Sequence, residues 1–176
     1  MGHATPRVGD RSIDTLAGMA KSSEGVKLAV NNRRARHDCF LDDRYEAGMS
    51  LVGTEVKSLR EGRGSLAEAW IRLDNDTGEA FLEQAHIPEY EYGNRNNHHP
   101  TRPRKLLLHR HELDHLARAV ATKGVTLVPT RIYFRNGRAK LEFATAKGKN
   151  VSDKRRDVAK RDAQRQIDRA MKARRH

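Results

Sequence analysis

The clearest periodicities lie in the second half of the chain. Leu113, Leu116, Ala117, Val120 and Ala121 recur at helical spacing and form one apolar stripe, which Gly124 ends. Asn136-Gly137 then separates two β-rich runs, the signature of a type I′ hairpin. A two-residue loop sets Phe134 opposite Ala139, Ile132 opposite Leu141 and Thr130 opposite Phe143 on an apolar face. Tyr133 with Lys140 and Arg131 with Glu142 fall on the other face, and Pro129 belongs at an edge or bulge. Upstream, residues 39–47 and 49–59 read as paired strands that turn at Gly48 and bulge at Gly53. Ser65 reads as the cap of a short helical turn through Glu68. Residues 70–73 and 80–84 flank the hairpin turn Asp74-Asn75-Asp76-Thr77-Gly78, and residues 106–108 re-enter the core. The pattern predicts a mainly β fold. It is an OB-like antiparallel barrel over residues 31–146 with an inserted amphipathic helix.

Charge sharpens this picture. The chain holds 35 Lys and Arg against 23 Asp and Glu, a net charge of +12, with only 36% apolar residues. The core is therefore small and the partner anionic, nucleic acid first. Of that charge, +8 lies in residues 147–176, where twelve basic residues face four aspartates. The sparse apolar positions there predict a tail that is disordered alone and helical on RNA, or else a charged helix packed weakly on the barrel. Residues 1–18 lack a hydrophobic period and read as a disordered extension, with Met19 an alternative start. No stretch approaches the roughly 20 apolar residues of a spanning helix, and no signal peptide is evident. Cys39 is the only cysteine. These features predict a cytoplasmic protein without disulfides.

Few residues invite catalysis. His111-Glu112-Leu113-Asp114-His115 matches the H-E-x-x-H zinc pattern, but no third ligand follows at a suitable spacing. The Asp74–Gly78 loop fails the calcium spacing of an EF-hand. Gly62-Arg63-Gly64 lacks the lysine and hydroxyl of a phosphate loop. The reading is no enzyme, no metal and no cofactor. Basic regions remain: Arg33, Arg34 and Arg36, then Arg102, Arg104 and Lys105 in the long segment 92–105, then the tail. Arginine forks suit phosphate. Trp70, Phe81, Phe134 and Phe143 are needed inside, which leaves Tyr90, Tyr92 and Tyr133 free to stack. His98-His99 reads as loop near phosphate. Recognition of a folded RNA by shape and backbone fits this set better than a single-strand platform.

The blocks N-R-R-A-R-H, E-A-G, G-T-E-V-K-S-L-R, R-K-L-L-L, A-K-G-K and D-K-R, in this order from Asn32 onward, resemble the SmpB family. That resemblance implies an OB-like barrel that binds the tRNA-like domain of transfer-messenger RNA and escorts it to stalled 70S ribosomes. Elongation factor Tu would be met only through the charged RNA, and the protein would act as a monomer without a membrane. Asn32, Glu46 and Leu107 match family positions that contact RNA, and Lys57 lies in a matching block. Lys147, Gly148, Lys149, Asp153, Lys154 and Arg155 match the tail block that acts at the decoding centre and in the messenger path. Met171 matches a distal position used in rescue. Ser152 departs from the family, which often has a stacking histidine there. From the residues alone, Glu46 is either a selective acceptor for RNA donors or the partner of a cross-strand arginine.

Overall fold

The computed structural model describes residues 25–74 and 76–173. The expectations for residues 1–18 and for a start at Met19 lie outside the described residues. Seven antiparallel strands form one sheet in the order β1-β6-β7-β2-β5-β4-β3. They are β1 (Val26–Asn31), β2 (Cys39–Met49), β3 (Trp70–Asp74), β4 (Glu79–Glu83), β5 (Arg104–Leu107), β6 (Val125–Arg135) and β7 (Arg138–Gly148). The sheet curls until β3 packs against β6, which gives the expected OB-type barrel. Helices α1 (Arg33–Asp38), α2 (Gly53–Arg60), α3 (Arg110–Val120) and α4 (Val151–Ala173) lie outside the sheet, and Asn94–Asn96 make one 3-10 turn. The core gathers Leu59, Leu82, Leu116, Ile132, Leu141 and Phe143. No described helix is long and apolar enough to cross a membrane.

The β6–β7 hairpin follows its turn chemistry. Asn136 and Gly137 both take positive φ, at 49° and 75°, as a type I′ turn requires. Phe134 pairs with Ala139, Ile132 with Leu141, Tyr133 with Lys140 and Arg131 with Glu142. Beyond Arg131 the register slips, so Pro129 rather than Thr130 faces Phe143. Thr130 is the bulged residue, and its hydroxyl donates to the Glu142 carbonyl at 2.9 Å. Proline cannot donate to a ladder, so the bulge falls beside it.

The first half of the chain needs correction. Gly48 makes no turn. β2 runs straight through it, laddered to Lys140 and Leu107, and glycine leaves room there because a Cβ would lie 3.2 Å from Leu107 Cβ on the neighbouring strand β5. Residues 53–60 form α2, not a strand, and Gly53 opens it rather than bulging. The amide of Val52 donates to Glu55 Oε2 at 2.9 Å, while Leu59 is buried and Val56 packs on the core one turn earlier. Arg33, Arg34 and Arg36 lie within the short helix α1, at whose start Asn32 Oδ1 accepts from the Ala35 amide at 3.1 Å. β1 precedes the expected barrel boundary and carries an edge strand with little apolar pattern. Ser65 forms a tight turn to Ala67 rather than a helical turn. Trp70 is 46% exposed rather than internal.

Candidate nucleic-acid interface

Alternation along each strand places one set of side chains on the outer face of the sheet. Leu107 on β5 pairs with Gly48 on β2, Gly48 with Lys140 on β7, and Lys140 with Tyr133 on β6. One residue pair further along, Glu46 faces Glu142, which faces Arg131. Leu107 is 56% exposed there. Beside it a groove of about 390 Å3 opens between Leu51, Val56, Leu107, Arg138 and Lys140. The result is an apolar floor rimmed by cations.

Glu46 sits at the centre of this face and is fully occupied. It accepts a hydrogen bond from the Tyr133 hydroxyl and pairs with Arg135 at 3.1 Å and Lys140 at 3.4 Å. Burial alone would raise its carboxyl, but the tyrosine and the two cations outweigh burial and hold it below the ordinary value. Tyr133 is buried, not free to stack. Burial and the Glu46 carboxylate push its phenol up to about 12. The guanidinium groups of Arg131 and Arg135 lie 5.3 and 5.6 Å from its ring centre. The cross-strand pairing of Glu46 is therefore the geometry present.

Other positions singled out in the sequence fall into two groups. Arg33 and Arg36 are exposed on α1, while Arg34 pairs with Asp38 at 3.1 Å and Glu68 at 2.7 Å. Lys57 is exposed and stands 5.0 Å over the Tyr90 ring, and Tyr92 is largely exposed. Lys105 is exposed but paired with Glu79. Arg104, in contrast, is 0% exposed and cannot contact RNA. Its Nε donates to Glu55 Oε1 at 2.8 Å, and its remaining donors meet the carbonyls of Ala85, Pro100 and Arg102. Arg102 closes the same cluster through Glu55 at 2.6 and 2.9 Å. Burial would raise the Glu55 carboxyl, but Arg102, the Val52 amide and Arg104 hold it below the ordinary value. These arginines pin the 92–105 segment to α2. His98 does the same work: it is buried, with Nδ1 2.9 Å from the Thr54 hydroxyl and Nε2 3.0 Å from the Ile87 carbonyl.

Asn32 is likewise internal, at 7% exposure. Its Nδ2 donates to the Leu66 and Pro129 carbonyls, each at 2.9 Å, so its effect on any ligand passes through the backbone it ties together. Lys147 and Gly148 belong to β7 rather than to a tail. Lys149 donates from Nζ to the Arg36 carbonyl at 2.9 Å and stands 4.9 Å over the Phe40 ring. Beyond it the chain is one helix, α4, where the sequence predicted a tail disordered alone and helical on RNA, or a charged helix packed weakly on the barrel. Ser152 and Arg155 are exposed in its first turns, Asp153 is half-buried, and Met171 is exposed near its end. Lys154 lies within the helix.

The zinc pattern has a structural account. Glu112 Oε2 accepts from the His109 amide at 2.8 Å and so caps α3. His115 Nδ1 lies 3.0 Å from the Tyr45 hydroxyl. Among the described residues no group of three or more His, Cys, Asp or Glu gathers as a metal site.

Comparison with known proteins gives the same picture. The family model described as SmpB protein matches residues 29–173. An SsrA-binding protein from Moorella thermoacetica is 53% identical over 150 residues, spanning 85% of this chain and 96% of that protein. One from Thermobifida fusca is 53% identical over 152 residues, 86% of this chain and 94% of that protein. A solved chain described under "tmRNA-SmpB: a journey to the center of the bacterial ribosome" is 48% identical, with a TM-score of 0.60 over 69% of this chain and 85% of that one.

Proposed function

We infer, from the plain premise that this chain belongs to the SmpB family, that it binds the tRNA-like domain of transfer-messenger RNA and delivers it to stalled ribosomes. The observation that carries this reading is the outer sheet face. An exposed Leu107 and a groove lie beside Arg138 and Lys140, and Glu46 orders Arg135 on β6 and Lys140 on β7. Cations in fixed positions grip a folded backbone, and the apolar floor accepts a base or ribose edge. Arg33, Arg36 and Lys57 extend the cationic surface. The helix α4, with Ser152, Asp153, Lys154, Arg155 and Met171, acts in the decoding centre and messenger path. The protein works as a cytoplasmic monomer, meets elongation factor Tu only through the charged RNA, and catalyses no reaction itself.

Binding of a tRNA-like RNA and of a length-matched random RNA should be compared across salt. Glu46→Ala should weaken the tRNA-like RNA by about 1–3 kcal/mol and the random RNA much less. Arg33→Ala should weaken both and lower the salt slope by about 0.7–0.9. Equal affinity of the native protein for the two RNAs would refute the reading in favour of a general RNA binder.

A further inference from the structure

The β3–β4 hairpin carries the opposite charge from the chain as a whole. Residues 68–83 hold Glu68, Asp74, Asp76, Glu79 and Glu83 against the single cation Arg72, a net charge of −4 within a chain of +12. Alternation sends Ile71, Ala80 and Leu82 into the core. It leaves Trp70, Arg72 and Asp74 on the outer face, in register with Glu83, Phe81 and Glu79. Trp70 is half exposed there, and its ring meets no other ring and no cation among the described residues. The middle of the face shows what it can hold. The Arg72 guanidinium lies 4.9 Å from the Phe81 ring centre, with Nε 3.1 Å from Glu83 and Nη1 3.5 Å from Asp74. An aromatic ring flanked by carboxylates is thus a seat for arginine, which answers both the ring quadrupole and the charge. Trp70 repeats the pattern, with Glu83 across the ladder and Glu68 two residues earlier, but no guanidinium of the described residues lies on it.

We propose that this face docks an arginine-rich segment of a partner protein, with Trp70 as the anchor. Tryptophan and arginine are the side chains that most often carry the energy of such contacts. Charge selects the class of partner. The exposed carboxylates of Glu68 and Asp76 attract cationic side chains and repel phosphate, so RNA is the wrong occupant here. Strands β2 and β5 separate this face from Lys140 on β7. The two ends of one sheet therefore address partners of opposite charge, and both can be held at once. The inference does not depend on which RNA the chain carries.

Trp70 is the only tryptophan, so its fluorescence reports this face alone. The full chain is titrated with a short peptide of alternating arginine and glycine, and separately with a tRNA-like RNA hairpin. The peptide should change Trp70 emission along a saturable curve, and the RNA should leave it unchanged. With the peptide labelled and followed by anisotropy, Trp70→Ala should weaken binding by about threefold to tenfold, and Trp70→Tyr should restore most of it. Glu68→Gln/Asp76→Asn, which alters only exposed positions, should also weaken binding and flatten its salt dependence. Unchanged emission with the peptide, or peptide binding indifferent to both the Trp70→Ala and the carboxylate substitutions, would overturn the docking face and leave the functional reading standing. Quenching of Trp70 by the RNA hairpin alone would overturn protein as the occupant in favour of RNA.

Discussion

Replacing Glu55 by alanine should be the most damaging single change on the polar side of the core. Its carboxylate accepts from Arg104 at 2.8 Å, from Arg102 at 2.6 and 2.9 Å, and from the Val52 amide at 2.9 Å. Truncation strands the Arg104 guanidinium, which is 0% exposed, with no counter-charge. Removing one partner of such a buried pair costs about 3–5 kcal/mol. The lost contact at the start of α2 adds about 0.5–1.5 kcal/mol. Domains of this size are stable by roughly 5–15 kcal/mol, so a large share of the total is at stake. With a urea slope of about 1–3 kcal/mol/M, the unfolding midpoint should fall by at least about 1 M. Arg104→Met on its own leaves Glu55 paired with Arg102. In the double variant the two losses should fall short of their sum by about 0.5–3 kcal/mol, because they remove one shared interaction. In RNA binding, Arg104→Met should leave the salt slope unchanged. A Glu55→Ala loss below about 1 kcal/mol would refute the assignment of this cluster to stability, as would an Arg104→Met salt slope lowered by a full contact.

Three further outcomes follow from the same geometry. Glu55 and Glu46 both titrate below their unfolded values, so their stabilisation is present above about pH 4.3 and is lost as pH falls through the folded values. Acid unfolding followed by circular dichroism should therefore shift to higher pH in the Arg102→Ala variant, and an unchanged midpoint would contradict it. Tyr133→Phe removes one donor to Glu46 and should cost about 1.5–3 kcal/mol of stability, raising the Glu46 carboxyl toward its ordinary value in an NMR titration. A chain ending at Asn150 keeps β7 and Lys149, so calorimetry should show a melting temperature within a few degrees of the full chain. It should retain most of its RNA affinity but fail to support tagging on stalled ribosomes, and retained tagging would contradict the role given to α4.

What the sequence disclosed was local chemistry. Asn136-Gly137 announces its turn and register because a type I′ hairpin is decided by two residues and their alternating neighbours. Thr130 escaped because a bulge is set by what Pro129 cannot donate and by Phe143 across the sheet. The segment 53–60 offers only Val56 and Leu59 as apolar side chains, too few for a period to separate helix from strand. The contacts that make it a helix come from distant positions: Arg104, 49 residues on, grips Glu55, and the Pro88 carbonyl accepts from Ser58. Among the candidate cations, residue type alone could not separate Arg33, which faces solvent, from Arg104, which is buried. Burial is a tertiary property, and only the carboxylate it would meet distinguishes the two. Leu107 carried no local signal beyond family resemblance, and Glu46 only a choice between an RNA acceptor and a cross-strand partner, since their adjacency depends on how β2 pairs with β5 and β7.

The amide of Asn32 also sets an order of events during synthesis. Its side chain joins the start of α1 to the carbonyl of Pro129, 97 residues later. At about 5–20 residues per second that separation is roughly 5–20 seconds of translation. Until then the start of α1 lacks its tie to β6, although its bond to the Leu66 carbonyl needs only the first half of the chain. The clasp between α1 and β6 is therefore among the last contacts of the barrel that synthesis permits.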